Sequence, residues 1–170
     1  DWAYLYSTIG KVNAIINNVE KCPDPALSEQ RKLQIRGEAS FIRAYMYFQL
    51  VQLWGDVPLQ LKEVTSISAA NLAEIYPLLF PARTAAYKIY QQIIADLEFA
   101  VANVPATAVH KGYVTTGAVN SMLAFVYATR GKRLADEGAD HHRIQALGFY
   151  MSQWTWCVYH QHSSGQNRDT

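Results

Sequence analysis

Residues 37–59 read GEASFIRAYMYFQLVQLWGDVPL, and no other stretch constrains the fold as strongly. Phe41, Tyr45, Phe48 and Val51 or Gln52 line up at helical spacing as one stripe, while Ile42, Met46, Leu50 and Leu53 form a second, about a hundred degrees round the axis. A helix apolar on two faces predicts burial between layers of other elements rather than at a surface. Gly37, Ala39 and Ala44 are small enough for a neighbouring backbone to come near. Gly37 costs about 1 kcal/mol against Ala inside a helix, so a close approach is expected there. The helix is expected to start near Asp24 or Ser28 and to end at Trp54, with Gly55 as a left-handed cap and Pro58 soon after.

Three further helices are predicted. Trp2, Leu5, Ile9, Val12, Ile16 and Val19 recur as one apolar stripe of a first helix, broken by Cys22-Pro23-Asp24-Pro25. Tyr87, Tyr90, Ile93 or Ile94, Leu97, Val101 and Val104 trace a third, with Thr84 as its N-cap and Pro105 as its stop. A fourth runs from Thr115 or Thr116 to about Arg130, with Gly131 just past its end. Its small residues Gly117, Ser121, Ala124 and Ala128 predict close antiparallel packing on the third. Between the second and third helices, residues 56–83 read as a long irregular loop punctuated by Pro58, Pro77 and Pro81, with one short helix near 70–76. No segment alternates with period two, so strands are expected to be few or absent. The predicted fold is all-α, with tetratricopeptide-like helix pairs but without the strict 34-residue consensus.

Charge and motif content exclude several function classes. With 15 basic and 14 acidic residues the net charge is +1, which lacks the basic stripe of a nucleic-acid binder. Two cysteines, Cys22 and Cys157, give neither a disulfide framework nor a CxxC motif. No apolar run has transmembrane length, and a chain that begins at Asp1 reads as a fragment or a trimmed form. Nucleophile elbow, zinc-protease, P-loop and dinucleotide motifs are all missing, and Asp96 and Glu98, two apart on a helix, cannot flank a scissile bond. No cofactor is implied. Cys157, His160 and His162 form C-x2-H-x-H, with His141 and His142 upstream. On a helix, positions 160 and 162 point about 200 degrees apart, so no metal site is expected there. Glu38 and Arg43 are five apart and do not face each other on a helix. Unpaired buried charge is so costly that each is expected to bond a neighbouring helix end or loop, and Asp96 reads as a structural acid.

The segment 37–59 resembles the G-E-A-x-F-x-R-A-x-x-Y-F-x-L-V-x-x-[FW]-G-x-V-P-L pattern of the SusD/RagB family of outer-membrane nutrient-binding lipoproteins. WAYLYSTIGKVNAII resembles that family's W-x-x-x-Y-x-x-I-x-x-x-N helix, through Trp2, Tyr6, Ile9 and Asn13. YKIYQQIIADLEFAV resembles its Y-x-x-I-x-x-D-L-x-x-A helix, and GYVTTGAVNSMLAFVYATRGK its G-R-x-T-x-x-A-A-x-x-L-L-A-R-V-Y-L-x-x-G segment, with Tyr113 and Phe125 where arginine is usual. The match fails after about Asp136, so residues 1–135 read as a SusD-like N-terminal helical region and 136–170 as a divergent segment, a further helix and a disordered tail.

The resemblance implies a SusD-like α–α superhelix. It implies a protein facing outward from the outer membrane of Bacteroidetes-type cells, touching the membrane only through a lipid anchor absent from this chain. Such a protein captures glycans, including starch-like polymers, or other nutrients without catalysis, and delivers them to a SusC-type TonB-dependent transporter. It marks Glu38, Arg43, Gly55, Pro58 and Asp96 as structural signature positions. Sugar rings stack on flat aromatic faces. The expected platforms are Trp2, although it also fits the core stripe, and Tyr4, which falls outside that stripe. Trp54 is expected in the core. The alternative is a tetratricopeptide-like protein-interaction scaffold with no small ligand; a helical hydrolase domain is a weaker third reading.

Overall fold

A computed structural model describes residues 2–63, 72–107 and 112–136. Among these, five α-helices and one two-residue antiparallel strand pair occur: α1 (Trp2–Asn18), α2 (Glu29–Trp54), β1 (Val57–Pro58), α3 (Leu72–Leu79), β2 (Arg83–Thr84), α4 (Ala86–Asn103) and α5 (Thr116–Asp136), with a 3-10 turn at Val19–Lys21. The fold is all-α with tetratricopeptide-like helix pairs. The chain divides into two compact units, Asp1–Pro105 and Ala106–Thr170. The predicted pairing of the third helix with the fourth, which would join the two units, stays an expectation. The histidine-rich stretch with His141, His142, Cys157, His160 and His162, and the divergence expected from 136 onward, lie outside the described residues apart from Asp136.

In the first unit α2 lies between α1 and α4 and packs most extensively on α4. Gly37 meets Ala100, Asn103 and Val104; Arg43 meets Asp96; the Phe48 and Tyr90 rings meet edge-on at 6.3 Å. Rising numbers on α2 thus face falling numbers on α4, so the pair is antiparallel. The same logic runs on the other side, where Arg43 meets Asn13 and Trp54 meets Trp2. A Cβ at Gly37 would stand 3.2 Å from both Asn103 Cβ and Val104 Cγ1, so glycine lets the two backbones approach. Tyr47, Phe48, Leu50, Val51, Ile89, Ile93 and Leu97 fill the core between the helices. Each contributes roughly 1.5–3 kcal/mol of burial.

The two predicted stripes of α2 are covered unequally. Phe48, Val51, Met46 and Leu50 are buried and Phe41 is half-buried, but Ile42, Tyr45 and Leu53 are exposed. Two flanking helices shield only the arc around Arg43, Tyr47 and Leu50; side chains on the opposite arc face outward. Trp54, expected in the core, is exposed because it is the last helical residue at the open end of the layer. Trp2 and Tyr87, at the first and second positions of α1 and α4, are exposed for the same reason.

Local chemistry sets the boundaries. Ser28 accepts from the Arg31 amide and caps α2, and Asp24 instead closes a turn onto the Ala26 amide. Gly55 ends the helix at φ 68°, ψ −113°, a conformation outside the left-handed helical region but still reserved for glycine. Thr84 does not cap α4. It pairs with Val57 in the strand pair, and the Asp56 carboxylate accepts from the Ala86 amide at 2.8 Å in its place. Asp56 therefore serves both ends of the connection. Pro77, read as punctuation, lies inside α3.

In the second unit, Thr115 Oγ1 accepts from the Ala118 amide at the start of α5. The helix does not stop at Arg130 but continues through buried Gly131 to Asp136. Val119, Ala124, Val126 and Tyr127 are buried, whereas Ser121, counted in the small stripe, is exposed and bonds back to the Gly117 carbonyl.

Candidate functional site

Two features of the first unit stand out chemically: a partly exposed aromatic cluster and a buried polar relay. The cluster forms where the start of α1 meets the end of α2. Trp2 lies 4.9 Å from Tyr6 at a tilt of 41° and meets Trp54 edge-on at 5.2 Å. Trp2 and Trp54 remain 36% and 38% exposed, so the edge-on pair leaves ring surface accessible. The Tyr6 hydroxyl donates to the Pro58 carbonyl at 2.6 Å, fixing one wall of the cluster, and burial raises its pKa. Tyr4 is 66% exposed. Two residues on from Trp2, it lies about 200° round the helix, so the two predicted platforms occupy different faces. Trp54 joins Trp2 although its sequence position before a glycine cap reads as core.

The relay is built around Arg43. Its Nε and Nη2 donate to the two Asp96 oxygens at 2.8 and 2.6 Å, a two-point grip with both side chains buried. Arg43 Nη1 donates to Asn13 Oδ1 at 3.0 Å, and Asn13 Nδ2 donates to the Gln60 carbonyl at 2.8 Å. Gln92 also donates to Asp96. The Tyr47 hydroxyl donates to the Gln60 carbonyl and accepts from the Gln60 amide, at 2.9 and 2.7 Å. Burial, the largest influence, pushes the Tyr47 phenol up to about 12, so it stays a protonated donor at neutral pH. Asn17 donates to the Leu61 carbonyl and Asn18 to the Glu63 carboxylate, completing a seam between α1 and the connection that leaves α2.

The signature positions fall into place unevenly. Arg43 and Asp96 meet each other, Gly55 turns the chain, and Pro58 offers its carbonyl to Tyr6. Glu38 bonds Gln34 and lies near Arg31, both on its own helix rather than a neighbouring one. Asn13, Tyr47, Gln60 and Asp56 were not singled out as functional by spacing. Asn13 carried a signal: it is a polar residue four positions after Ile9, on the buried side of α1. Among the described residues, no group of His, Cys, Asp or Glu is placed to hold a metal ion, and no helix is long and apolar enough to cross a membrane.

Comparison with known proteins gives a consistent result. The SusD-like family model described as starch-binding and associating with the outer membrane matches residues 1–128. A SusD-like protein of Formosa agariphila is 30% identical over 130 residues, which cover 76% of this chain and 24% of that protein. A SusD-like protein of Bacteroides ovatus is 33% identical over 129 residues, covering 76% of this chain and 22% of that one. A crystal structure with xylogluco-oligosaccharide is 30% identical, with a TM-score of 0.63 over 76% of this chain and 23% of the other. The chain thus spans about a quarter of the length of these relatives. Its match over residues 1–128, together with this fold, places it in the SusD-like family of starch-binding, outer-membrane-associated proteins.

Proposed function

We propose that the chain belongs to a protein that captures glycans at the outer face of the outer membrane, without catalysis, and passes them to a SusC-type TonB-dependent transporter. The observation that carries this reading is the match of residues 1–128 to a family described as starch-binding and outer-membrane-associated. The relative crystallised with a xylogluco-oligosaccharide supports a neutral polysaccharide as the ligand class. Capture is non-covalent: a pyranose ring lays its C–H face on an aromatic ring while its hydroxyls bond nearby polar groups. Trp2, with Trp54 beside it, and Tyr4 on another face are the platforms this reading assigns to the chain.

Isothermal titration of the full-length protein against xylogluco- and malto-oligosaccharides tests the reading. Binding is expected, with affinity weakened roughly two- to twelvefold by Trp2→Ala and by Tyr4→Ala, as loss of one stacking contact of about 0.5–1.5 kcal/mol predicts. Silence across the panel overturns glycan capture. The second reading, a protein-interaction scaffold, draws on the exposed Ile42, Tyr45 and Leu53 of α2. It predicts that changing those residues abolishes binding to a peptide or protein partner while no sugar binds.

A further inference from the structure

The connection from α2 to α4 is held at its entry by side chains of α1 and α2, and those holding residues 58–61 grip main-chain atoms. Tyr6 takes the Pro58 carbonyl, Asn13 the Gln60 carbonyl, Tyr47 both the amide and the carbonyl of Gln60, and Asn17 the Leu61 carbonyl. We infer that Asn13 and Tyr47 are positioning residues that fix the course of residues 58–61 through the main chain, with the Arg43–Asp96 pair behind them.

Asn13 is 1% exposed, and its amide has one orientation available. Arg43 offers only N–H donors, and the two-point grip of Asp96 fixes its guanidinium. The Asn13 oxygen must therefore face Arg43, which leaves its NH2 aimed at the Gln60 carbonyl. Flipping the amide would set donor against donor and carbonyl against carbonyl. A buried ion pair thus orients an amide, and the amide fixes a peptide group of the connection. Its exit is held alongside the entry, because Val57 and Pro58 pair with Thr84 and Arg83 and Asp56 caps the Ala86 amide. Chain that leaves and returns at one clamped neck is the arrangement in which loops carry recognition residues. This positioning role holds whatever the protein binds.

Amide exchange by NMR in the full-length protein, labelled at Asn and Gln and read at neutral pH, is the test. Asn13→Asp keeps the size and the oxygen that faces Arg43 but replaces the Nδ2 donor with an acceptor. Exchange at the Gln60 amide is expected to rise on the order of tenfold, although its own acceptor, the Tyr47 hydroxyl, is untouched. Tyr47→Phe is read from the other side: exchange of the Asn13 side-chain amide is expected to rise on a similar order. Lys62→Ala, a change at an exposed side chain, should leave the Asn13 side-chain amide within about twofold of the parent rate. Unchanged Gln60 protection in Asn13→Asp, with or without a lower Tm, overturns the proposal. So does an Asn13 rate that Lys62→Ala raises as much as Tyr47→Phe does. If Asn13→Asp does not fold, Tyr47→Phe alone decides: an unchanged Asn13 rate refutes the role.

Discussion

Arg43 spends three of its donors inside the protein, two on Asp96 and one on Asn13. A buried pair adds little over a well-packed apolar pair, but removing one partner strands the other charge away from water. Asp96→Ala is therefore expected to cost about 3–5 kcal/mol in denaturant unfolding, while Arg43→Met combined with Asp96→Leu recovers most of that loss. Additive losses in the double variant would show that the pair does not act as a unit. Tyr47 gives a second residue-scale prediction, with a definite sign. Its phenol is raised from 10.0 to about 12 in the folded chain, so the folded state keeps a proton that the unfolded state begins to release near pH 10. The stabilisation is complete below pH 10 and is lost as pH rises toward 12. Tyr6 is raised too, in the same direction. Denaturation midpoints measured across that alkaline window should fall less steeply in Tyr47→Phe than in the parent; equal slopes would refute the assignment.

Gly37 announces a close approach through its cost in a helix, and α4 supplies the approach at 3.2 Å. Gly37→Val is expected to destabilise by about 1–3 kcal/mol in thermal unfolding, because Asn103 Cβ is fixed to the α4 backbone and cannot give way. A neutral result would mean that the two helices are free to separate there. All the long helices of the described region are legible from periodicity, as are the Ser28 cap and the glycine stop at Gly55. What escaped depends on distance along the chain. Asp56 caps a helix that starts 30 residues later, and Arg43 finds its acid 53 residues away; periodicity within a helix contains neither fact. Trp2 and Tyr87 lie on apolar stripes yet are exposed, because a stripe says which arc of a helix is apolar and not how far the neighbouring helix extends along it. Of the candidate site, Tyr4 was nameable as an aromatic outside the first apolar stripe, whereas Trp2 fits that stripe. Trp54, which completes the cluster, was hidden by its resemblance to a core residue at a helix end.

At the scale of the whole molecule, the proposed capture of a neutral glycan bears on how affinity responds to salt. A neutral glycan gripped by ring stacking and hydroxyl hydrogen bonds displaces no condensed counterions. A polyanion gripped by Lys and Arg releases them, and six to ten such contacts lose roughly 10³–10⁵ in affinity between 50 and 200 mM salt. Under the proposed function, glycan affinity of the full-length protein is therefore expected to stay within about twofold over that salt range. Apolar contact strengthens modestly in the presence of excluded salts such as sulfate, so the same titration in sulfate should move affinity slightly upward rather than down. A steep loss with sodium chloride would mean that charge, and not the exposed aromatic surface of α1 and α2, dominates recognition. The ligand class would then have to carry negative charge, as uronic-acid or sulfated polysaccharides do, and the basic side chains of the protein would replace Trp2 and Tyr4 as the groups to mutate.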